Sequence, residues 1–166
     1  MTPSSTFWLI TCPPPFGDQV LFVNVGDGYC LLHQDVFTPN YPDVGSGMTL
    51  IGPVPPGQVE PVVVTLGIQV FGPVGGMSTQ DFADAQISAA EIPGNPAIRG
   101  TVGIAGQEAV TAVGIPGIMG TLMAYLVHDG VGYTFVLFPW DDAVPAEKAL
   151  AEQLWLLVTG TFTWLP

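Results

Sequence analysis

The chain has 166 residues, 48% of them hydrophobic, and a formal net charge of −12 because only two side chains, Arg99 and Lys148, are basic. This hydrophobic content is sufficient for a folded core and excludes a chain that is disordered throughout. Two cations cannot neutralise a phosphate backbone or attract an anionic bilayer, so we expect no nucleic-acid partner and no membrane-surface partner. No apolar stretch approaches the roughly 20 residues of a membrane span, and we expect no membrane insertion.

The N-terminal part of the chain contains strand patterns separated by turns. Residues 1–15 end at three consecutive prolines and predict an extended N-terminal arm. The Gly26-Asp27-Gly28 sequence predicts a hairpin turn between the first two strands. Strand-forming residues favour strands over 19–23, 29–33, 48–51 and 61–71.

A capping box marks the first predicted helix. Ser78 can accept a hydrogen bond from the backbone of Asp81, whose carboxylate can reach back toward Ser78. We expect this helix near residues 78–91, ending before Pro93. Its predicted buried face carries, at helical spacing, Phe82, Ala85, Ala89 and Ile92.

The C-terminal half returns to strands before a second helix. Strand patterns cover 101–113, 122–127 and 133–138, and Asp129-Gly130 predicts a tight turn between the last two. Pro145 and Glu147 predict the first turn of a helix near 145–158, with Gly160 just beyond its end. The predicted buried stripe of this helix is Ala146, Leu150, Leu154 and Leu157.

These elements together predict one α+β domain over residues 1–166. Short strands rich in turn signals are typical of an antiparallel sheet, here of about six to seven strands. The two helices, near 78–91 and 145–158, are expected to pack on that sheet. No internal repeat, low-complexity tract or linker divides the chain.

The two cysteines, Cys12 and Cys30, are too few for a disulfide scaffold and match no paired zinc motif. A bridge between them would fix the N-terminal segment onto the first hairpin. Two buried free thiols explain the same residues, and the sequence leaves both possibilities open.

The sequence contains no recognisable catalytic or cofactor motif, so we expect no enzyme activity and no cofactor. A zinc site combining His33 and His128 with Asp129 is conceivable, but neither histidine lies in a ligand-spaced motif. Ordinary structural histidines are the alternative. Cys30 and His33 are three positions apart on a strand, which argues against a local thiolate pair.

Acidic residues concentrate where the last long strand gives way to the second helix. Asp141 and Asp142, with Glu147 nearby, could bind a divalent cation, although the spaced calcium-loop motif is absent. N-capping and compensation of the helix dipole explain the same acids. We expect no metal site here.

Aromatic residues are the strongest candidates for partner contact. Trp155 and Trp164 are expected to pack in the core with the second helix. Trp140, between Pro139 and Asp141, could anchor a partner or could cover the start of the helix. The candidate partner contacts are Phe7, Trp8, Phe37, Tyr41, Trp140, Asp141 and Asp142.

The order of these elements resembles the PsbP-like fold, the family of the extrinsic oxygen-evolving protein of photosystem II and its bacterial secreted relatives. Two departures from that family are the sequence His33-Gln-Asp-Val-Phe37 after the first hairpin and the lack of basic docking residues. Photosystem-type docking therefore does not carry over. The segments that carry the resemblance are residues 28–32, 78–82, 104–109, 125–135 and 152–166.

This resemblance implies a non-catalytic accessory or binding module that works outside the cytoplasm, with no recognisable signal in this chain. Such a module would contact a protein partner through sheet edges and through the loops around 37–41 and 139–142. The alternative is a self-assembling structural subunit of a filament, surface layer or particle. In that case the apolar arm at Phe7-Trp8-Leu9-Ile10 would dock on a neighbouring copy.

Overall fold

The structure, a computed structural model, describes residues 11–41, 46–115 and 120–166. Most of the predicted N-terminal arm, including Phe7 and Trp8, lies outside these residues. The described residues form two helices, α1 Thr79–Ala90 and α2 Pro145–Thr161. They also form ten strands: β1 Gln19–Asn24, β2 Tyr29–Gln34, β3 Thr38–Asn40, β4 Met48–Ile51, β5 Thr65–Pro73, β6 Ile98–Ile104, β7 Gln107–Val113, β8 Leu122–His128, β9 Val131–Phe138 and β10 Thr163–Trp164.

The strands form two antiparallel sheets. The larger has seven strands in the order β3-β4-β5-β9-β8-β7-β6, and the smaller has three in the order β1-β2-β10. This confirms the predicted α+β class, with an antiparallel sheet of seven strands and two helices. The sequence also predicts a closing strand over 161–165, of which β10 is the observed part. It does not predict the separate small sheet, because β10 pairs with a strand more than a hundred residues earlier.

The large sheet is covered on both faces. In β8, Leu122, Ala124 and Leu126 point into one apolar cluster, and Met123 and Tyr125 point into the other. Helix α2 and the small sheet cover the first face, while α1 packs on β7 and β8 over the second. The central strands are therefore buried on both sides, which explains their nearly continuous apolar sequence.

Helix α1 starts as predicted but buries a different face. Ser78 is the N-cap, and its hydroxyl accepts from the Asp81 amide at 3.1 Å while the Asp81 carboxylate accepts from the Ser78 amide at 3.3 Å. This confirms the capping box. The buried residues are Phe82, Ala83 and Ile87, and the other three residues of the predicted face are not buried.

Helix α2 is longer than predicted and runs through Gly160 to Thr161. Its last turn is tied to the small sheet, because the Thr161 hydroxyl donates to the Leu157 carbonyl at 2.6 Å and accepts from the Leu32 amide at 3.0 Å. The predicted stripe is also shifted, and only Leu154 of it is fully buried. The buried residues are Ala151, Leu154, Trp155, Val158 and Thr159.

Candidate functional site

A groove of about 750 Å³ lies beside β1, the outermost strand of the small sheet. Its other side is formed by β3, an outermost strand of the large sheet, and by the chain that follows β3. The groove is therefore built from the edges of two sheets. Its lining consists of residues 21–27 together with Pro39, Tyr41, Ser46 and Gly47.

The β1 strand presents backbone hydrogen-bonding groups to this groove. Leu32 of β2 donates its amide to Thr161, on the side away from β1. Its antiparallel partner on β1 is Leu21, so the amide and carbonyl of Leu21 point away from β2 as well. The direction of the backbone groups alternates from one residue of β1 to the next, so the amide and carbonyl of Val23 also point away from β2. Among the described residues no strand pairs with this side of β1, which we call the β1 open edge.

Two aromatic rings form an apolar surface next to the β1 open edge. The ring centroids of Phe22 and Tyr41 are 6.0 Å apart and the ring planes are inclined by 52°. Phe22 packs against the main core, whereas Tyr41 is 62% exposed. An exposed aromatic ring beside unpaired backbone groups is typical of a surface that binds an extended chain.

A polar network fixes the end of the groove where the β1–β2 hairpin turns. The Asp27 carboxylate accepts from the Asn24 side-chain amide at 2.8 Å and from the Gly47 backbone amide at 2.6 Å. Asn24 also donates to the Tyr29 hydroxyl at 3.1 Å. Gly47 has φ +90°, and a Cβ there would lie 2.6 Å from the carbonyl oxygen of Ile68. Glycine is therefore required at this position for the chain to close against Asp27.

The same network makes the free energy of unfolding fall at alkaline pH. Burial raises the pKa of Tyr29, and the nearby Asp27 carboxylate adds to the rise. Burial also raises the pKa of Tyr133, again with a contribution from Asp27. Tyrosine in an unfolded chain ionises near pH 10. Above that pH the folded chain keeps protons that the unfolded chain has lost, so stability falls as pH rises.

We expect the free energy of unfolding to be lower at pH 11 than at pH 9, by up to about 1.4 kcal/mol per pH unit for each such tyrosine. Urea unfolding at the two pH values measures this difference. Tyr29→Phe should reduce the loss, because phenylalanine has no proton to lose. The explanation fails if Tyr29→Phe loses as much stability over this interval as the unmodified chain.

Phe37 is not a partner contact. It is 2% exposed and belongs to the main core, where a Cβ added at Gly52 would lie 3.0 Å from its ring. The sequence placed it in a loop, and loops are usually at the surface. Here β2 and β3 are joined by a very short turn that directs the ring inward.

Of the predicted contacts around Trp140, Trp140 itself and Asp141 line a second, smaller cavity of about 350 Å³, and Asp142 is not part of its lining. Trp140 is half-buried, packs against the main core and has the Lys148 ammonium 5.0 Å from its ring centroid. Lys148 also donates to the exposed Asp142 carboxylate at 2.6 Å, which raises the pKa of the lysine. The ring therefore covers the start of α2 and holds a cation there.

Asp141 and Asp142 are exposed but do not cap α2. The N-cap is Val144, which makes no side-chain capping bond. Asp141 instead accepts from the Ala143 amide at 2.9 Å, a short local turn. Proline at the first helical position lacks the amide that a capping carboxylate would satisfy, which removes part of the need for a cap.

The cysteines and histidines are engaged in structural contacts. Cys12 and Cys30 form a disulfide, which excludes the free-thiol alternative and the Cys30–His33 pair. His33 is buried in β2, with Nδ1 2.8 Å from the Gln34 carbonyl oxygen. In the described part of the chain no group of three or more potential ligands could hold a metal ion.

His128 belongs to a stacked cluster at the end of β8. Its ring lies parallel to the Trp164 ring with centroids 3.9 Å apart, and Nδ1 is 2.9 Å from Gln107 Oε1. That same oxygen accepts from Trp164 Nε1 at 3.1 Å. An amide oxygen can only accept, so Nδ1 of His128 carries a proton. The cluster holds β10 against the large sheet, and Trp164 is half-buried in it.

The groove combines one residue that sequence reasoning selected, Tyr41, with several that it missed. The sequence predicts a strand over Phe22 and Val23, but a strand pattern does not reveal which strand is outermost. The only sequence signal was the short spacing between the β1–β2 hairpin and Tyr41. No helix in the described ranges is both long and apolar enough to cross a membrane. A scan against models of known protein families finds no match to this chain, and a comparison with curated proteins finds none that is significantly similar.

Proposed function

We propose that this chain is a non-catalytic binding module of the PsbP-like type that acts outside the cytoplasm. Its groove beside β1 takes an extended segment of a protein partner. The observation that carries this proposal is the β1 open edge, where Leu21 and Val23 present backbone groups next to the exposed ring of Tyr41.

The chemistry of the groove favours addition of a strand. An extended segment would satisfy the outward amides and carbonyls of Leu21 and Val23 and add a strand to the small sheet. One of its side chains would pack on the surface made by Phe22 and Tyr41. The volume of about 750 Å³ is large enough for several residues of such a segment.

The charge distribution favours a neutral or basic segment. The net charge is −12, and both cations are already paired, Arg99 with Asp84 and Lys148 with Asp142. Asp27 lines the groove, and no described residue lining it is basic. An acidic segment would therefore be repelled as it approached.

The compartment and the lack of catalysis are supported by the same side chains. A disulfide is typical of proteins in oxidising compartments, outside the cytoplasm. The thiols are consumed in that bond, and His128 is held between Trp164 and Gln107. The fold is an antiparallel sheet with helices packed on it, which agrees with the architecture that the PsbP-like resemblance implies.

Selection from a library of random ten-residue peptides, followed by affinity measurement on the full chain, tests the proposal. We expect selected peptides to be neutral or basic. Tyr41→Ala should weaken their binding by about 30-fold, the effect of losing an aromatic anchor worth about 2 kcal/mol. Val23→Pro should weaken it by about tenfold or more, because proline removes the outward amide but no bond to β2.

The matched control is Val59→Ala, since Val59 is 99% exposed and does not line the groove. It should leave affinity within about twofold. Circular dichroism shows that each variant is folded. The proposal is wrong if the selected peptides bind Tyr41→Ala and Val23→Pro as tightly as the unmodified chain, or if selection yields no peptide.

The second candidate function is self-assembly, in which the apolar segment Phe7-Trp8-Leu9-Ile10 docks on the sheet edge of a neighbouring copy. The observation that favours it is that both β1 and β6 are outermost strands in the described part of the chain. Light scattering across a concentration series distinguishes the two functions. A large discrete particle that disappears when residues 1–10 are deleted supports assembly, and its absence opposes it.

A further inference from the structure

The other outermost strand of interest is β6, at the far end of the large sheet from β3. Five of its seven residues are exposed, and Ile98 at its start is 74% exposed. Within the described ranges no strand pairs with its outer side. Long exposed edges carry a risk of uncontrolled pairing, so proteins usually shield them or use them.

The hairpin turn after β6 determines which backbone groups face outward. Ala105 and Gly106 have φ of 50° and 74°, and they connect Ile104 to its partner Gln107 as a two-residue turn. The residues flanking such a turn form a hydrogen-bonded pair. Every second residue before Ile104 then bonds to β7, and the amides and carbonyls of Gly103, Thr101 and Arg99 point outward.

Gly103 has no local reason to be glycine. Its φ is not in the left-handed region, and a Cβ built on it would have no heavy atom within 4 Å. Glycine in a strand costs stability, and a close approach of another backbone is one of the reasons for which it is found there. Its β7 partner, Glu108, is exposed on the same face of the sheet.

Arg99 lies on the same face of the sheet as Gly103 and Glu108. A charged side chain that projects past an edge strand hinders pairing with another strand, but Arg99 does not project in this way. Its guanidinium forms an ion pair with Asp84 of α1. That contact holds the pKa of the carboxyl of Asp84 below its usual value. The charge is therefore drawn over the sheet toward α1, which leaves the backbone of the strand accessible.

We propose that two copies of this chain pair their β6 strands antiparallel, about a two-fold axis at Thr101. The two sheets then become one continuous sheet. Thr101 faces Thr101 of the second copy, and Arg99 faces Gly103 of the second copy. The dimer depends neither on the groove nor on residues 1–10.

This register is self-complementary in charge and in shape. Arg99 lies opposite Gly103 of the second copy. Glu108 of that copy, the β7 partner of this glycine, lies on the next strand of the sheet. Because Gly103 has no side chain, Arg99 can reach that glutamate over it once its guanidinium leaves Asp84 of its own chain. The two-fold axis repeats this ion pair. On the other sheet face, the exposed Ile98 comes to lie opposite Ile104 of the second copy. Ile104 is already fully buried in its own chain, so pairing covers part of Ile98 only.

Sedimentation velocity of the full chain over a concentration series at physiological salt tests the dimer. We expect a reversible monomer–dimer equilibrium. Thr101→Pro should shift it to monomer, because proline removes an outward amide without removing a bond to β7. Thr101→Val, which keeps the amide, should leave the dimer in place. A monomer at every concentration, or a dimer unaffected by Thr101→Pro, overturns the proposal.

Charge exchange tests the register without touching the backbone. In an Asp84→Asn background, Arg99→Glu and Glu108→Arg should each weaken dimerisation by roughly tenfold, and the two together should restore it. Gly103→Val should weaken it while leaving monomer stability unchanged or higher, since its side chain has open space in the single chain. Failure of the combined variant to recover overturns the proposed register. Loss of the dimer on deletion of residues 1–10 would assign the association to the N-terminal arm instead.

Discussion

Replacing Phe162 by alanine is expected to lower the free energy of unfolding by about 3–5 kcal/mol. Phe162 follows α2 directly and is 3% exposed. Its ring stacks on Tyr29 of the small sheet at 4.9 Å and contacts Phe135 of the large sheet edge-on at 5.3 Å. It also contacts Trp164 at 4.8 Å. One side chain therefore joins both sheets and the C-terminal strand.

The cost should be at the upper end of this range because the cavity cannot collapse easily. The neighbouring rings are held by separate strands that hydrogen bonds fix in register, so they cannot move together into the space. Urea unfolding followed by tryptophan fluorescence measures the change. Phe162→Leu, which keeps most of the volume, should cost less than half as much.

Phe16→Ala provides the matched control, because Phe16 is 86% exposed and the same atoms are removed. It should change stability by no more than about 0.5 kcal/mol. A loss below about 1 kcal/mol for Phe162→Ala would contradict the role of this ring as the joint between the sheets.

Local signals predicted the elements well because their causes are local. The capping box at Ser78 depends on four consecutive residues, and the Asp129-Gly130 turn on two residues with positive φ. Helix faces were harder to predict. In α1 several alanines fit either face, and the choice is made by Ile87, which packs against β7 and β8. Sequence spacing alone could not rank these faces.

The two proposed binding edges, β1 and β6, depend on pairings between strands that are far apart in the sequence. Whether β1 or β6 is outermost is decided by the pairing of β10 with β2 and by the strand order of the large sheet. Neither the pairing nor the strand order can be read from the hydrophobic pattern of a single strand. Tyr41 could be selected from sequence because an aromatic residue among prolines and polar residues is unusual in a buried segment. Phe37, four residues earlier, has a similar sequence context and the opposite burial.

The two open edges lie on different sheets and differ in chemistry. The β1 open edge has an aromatic wall and a carboxylate nearby, which suits an extended segment of another protein. The β6 strand has Arg99 and Gly103 in positions that would face each other across an antiparallel pair, and Glu108 of β7 lies beside the glycine, which suits an identical strand running the other way. Binding at one edge and pairing at the other are therefore compatible in a single chain. A dimer would present two grooves and could raise the affinity for a partner with two segments.

Reduction of the Cys12–Cys30 disulfide is expected to lower the free energy of unfolding by about 3 kcal/mol. The bond closes a loop between residues 18 positions apart and attaches the N-terminal segment to β2, the central strand of the small sheet. Without it the unfolded chain gains the freedom that the loop had removed. Cys12 and Cys30 are both buried, so the reductant reaches the disulfide only when this part of the chain unfolds.

The measurement is urea unfolding at equilibrium with and without a phosphine reductant. The double variant Cys12→Ser and Cys30→Ser is the control, and reductant should not change its unfolding midpoint. We expect the reduced chain to keep its large sheet, because α1, α2 and the central strands make no bond to Cys12. The small sheet should lose most of the stability, since β1 is held on one side only and β10 is two residues long. Amide hydrogen exchange would show this as faster exchange in β1 and β2 than in β8 and β9. Equal acceleration in all four strands, or an unfolding midpoint that does not respond to the reductant, would mean that the disulfide does not stabilise the small sheet.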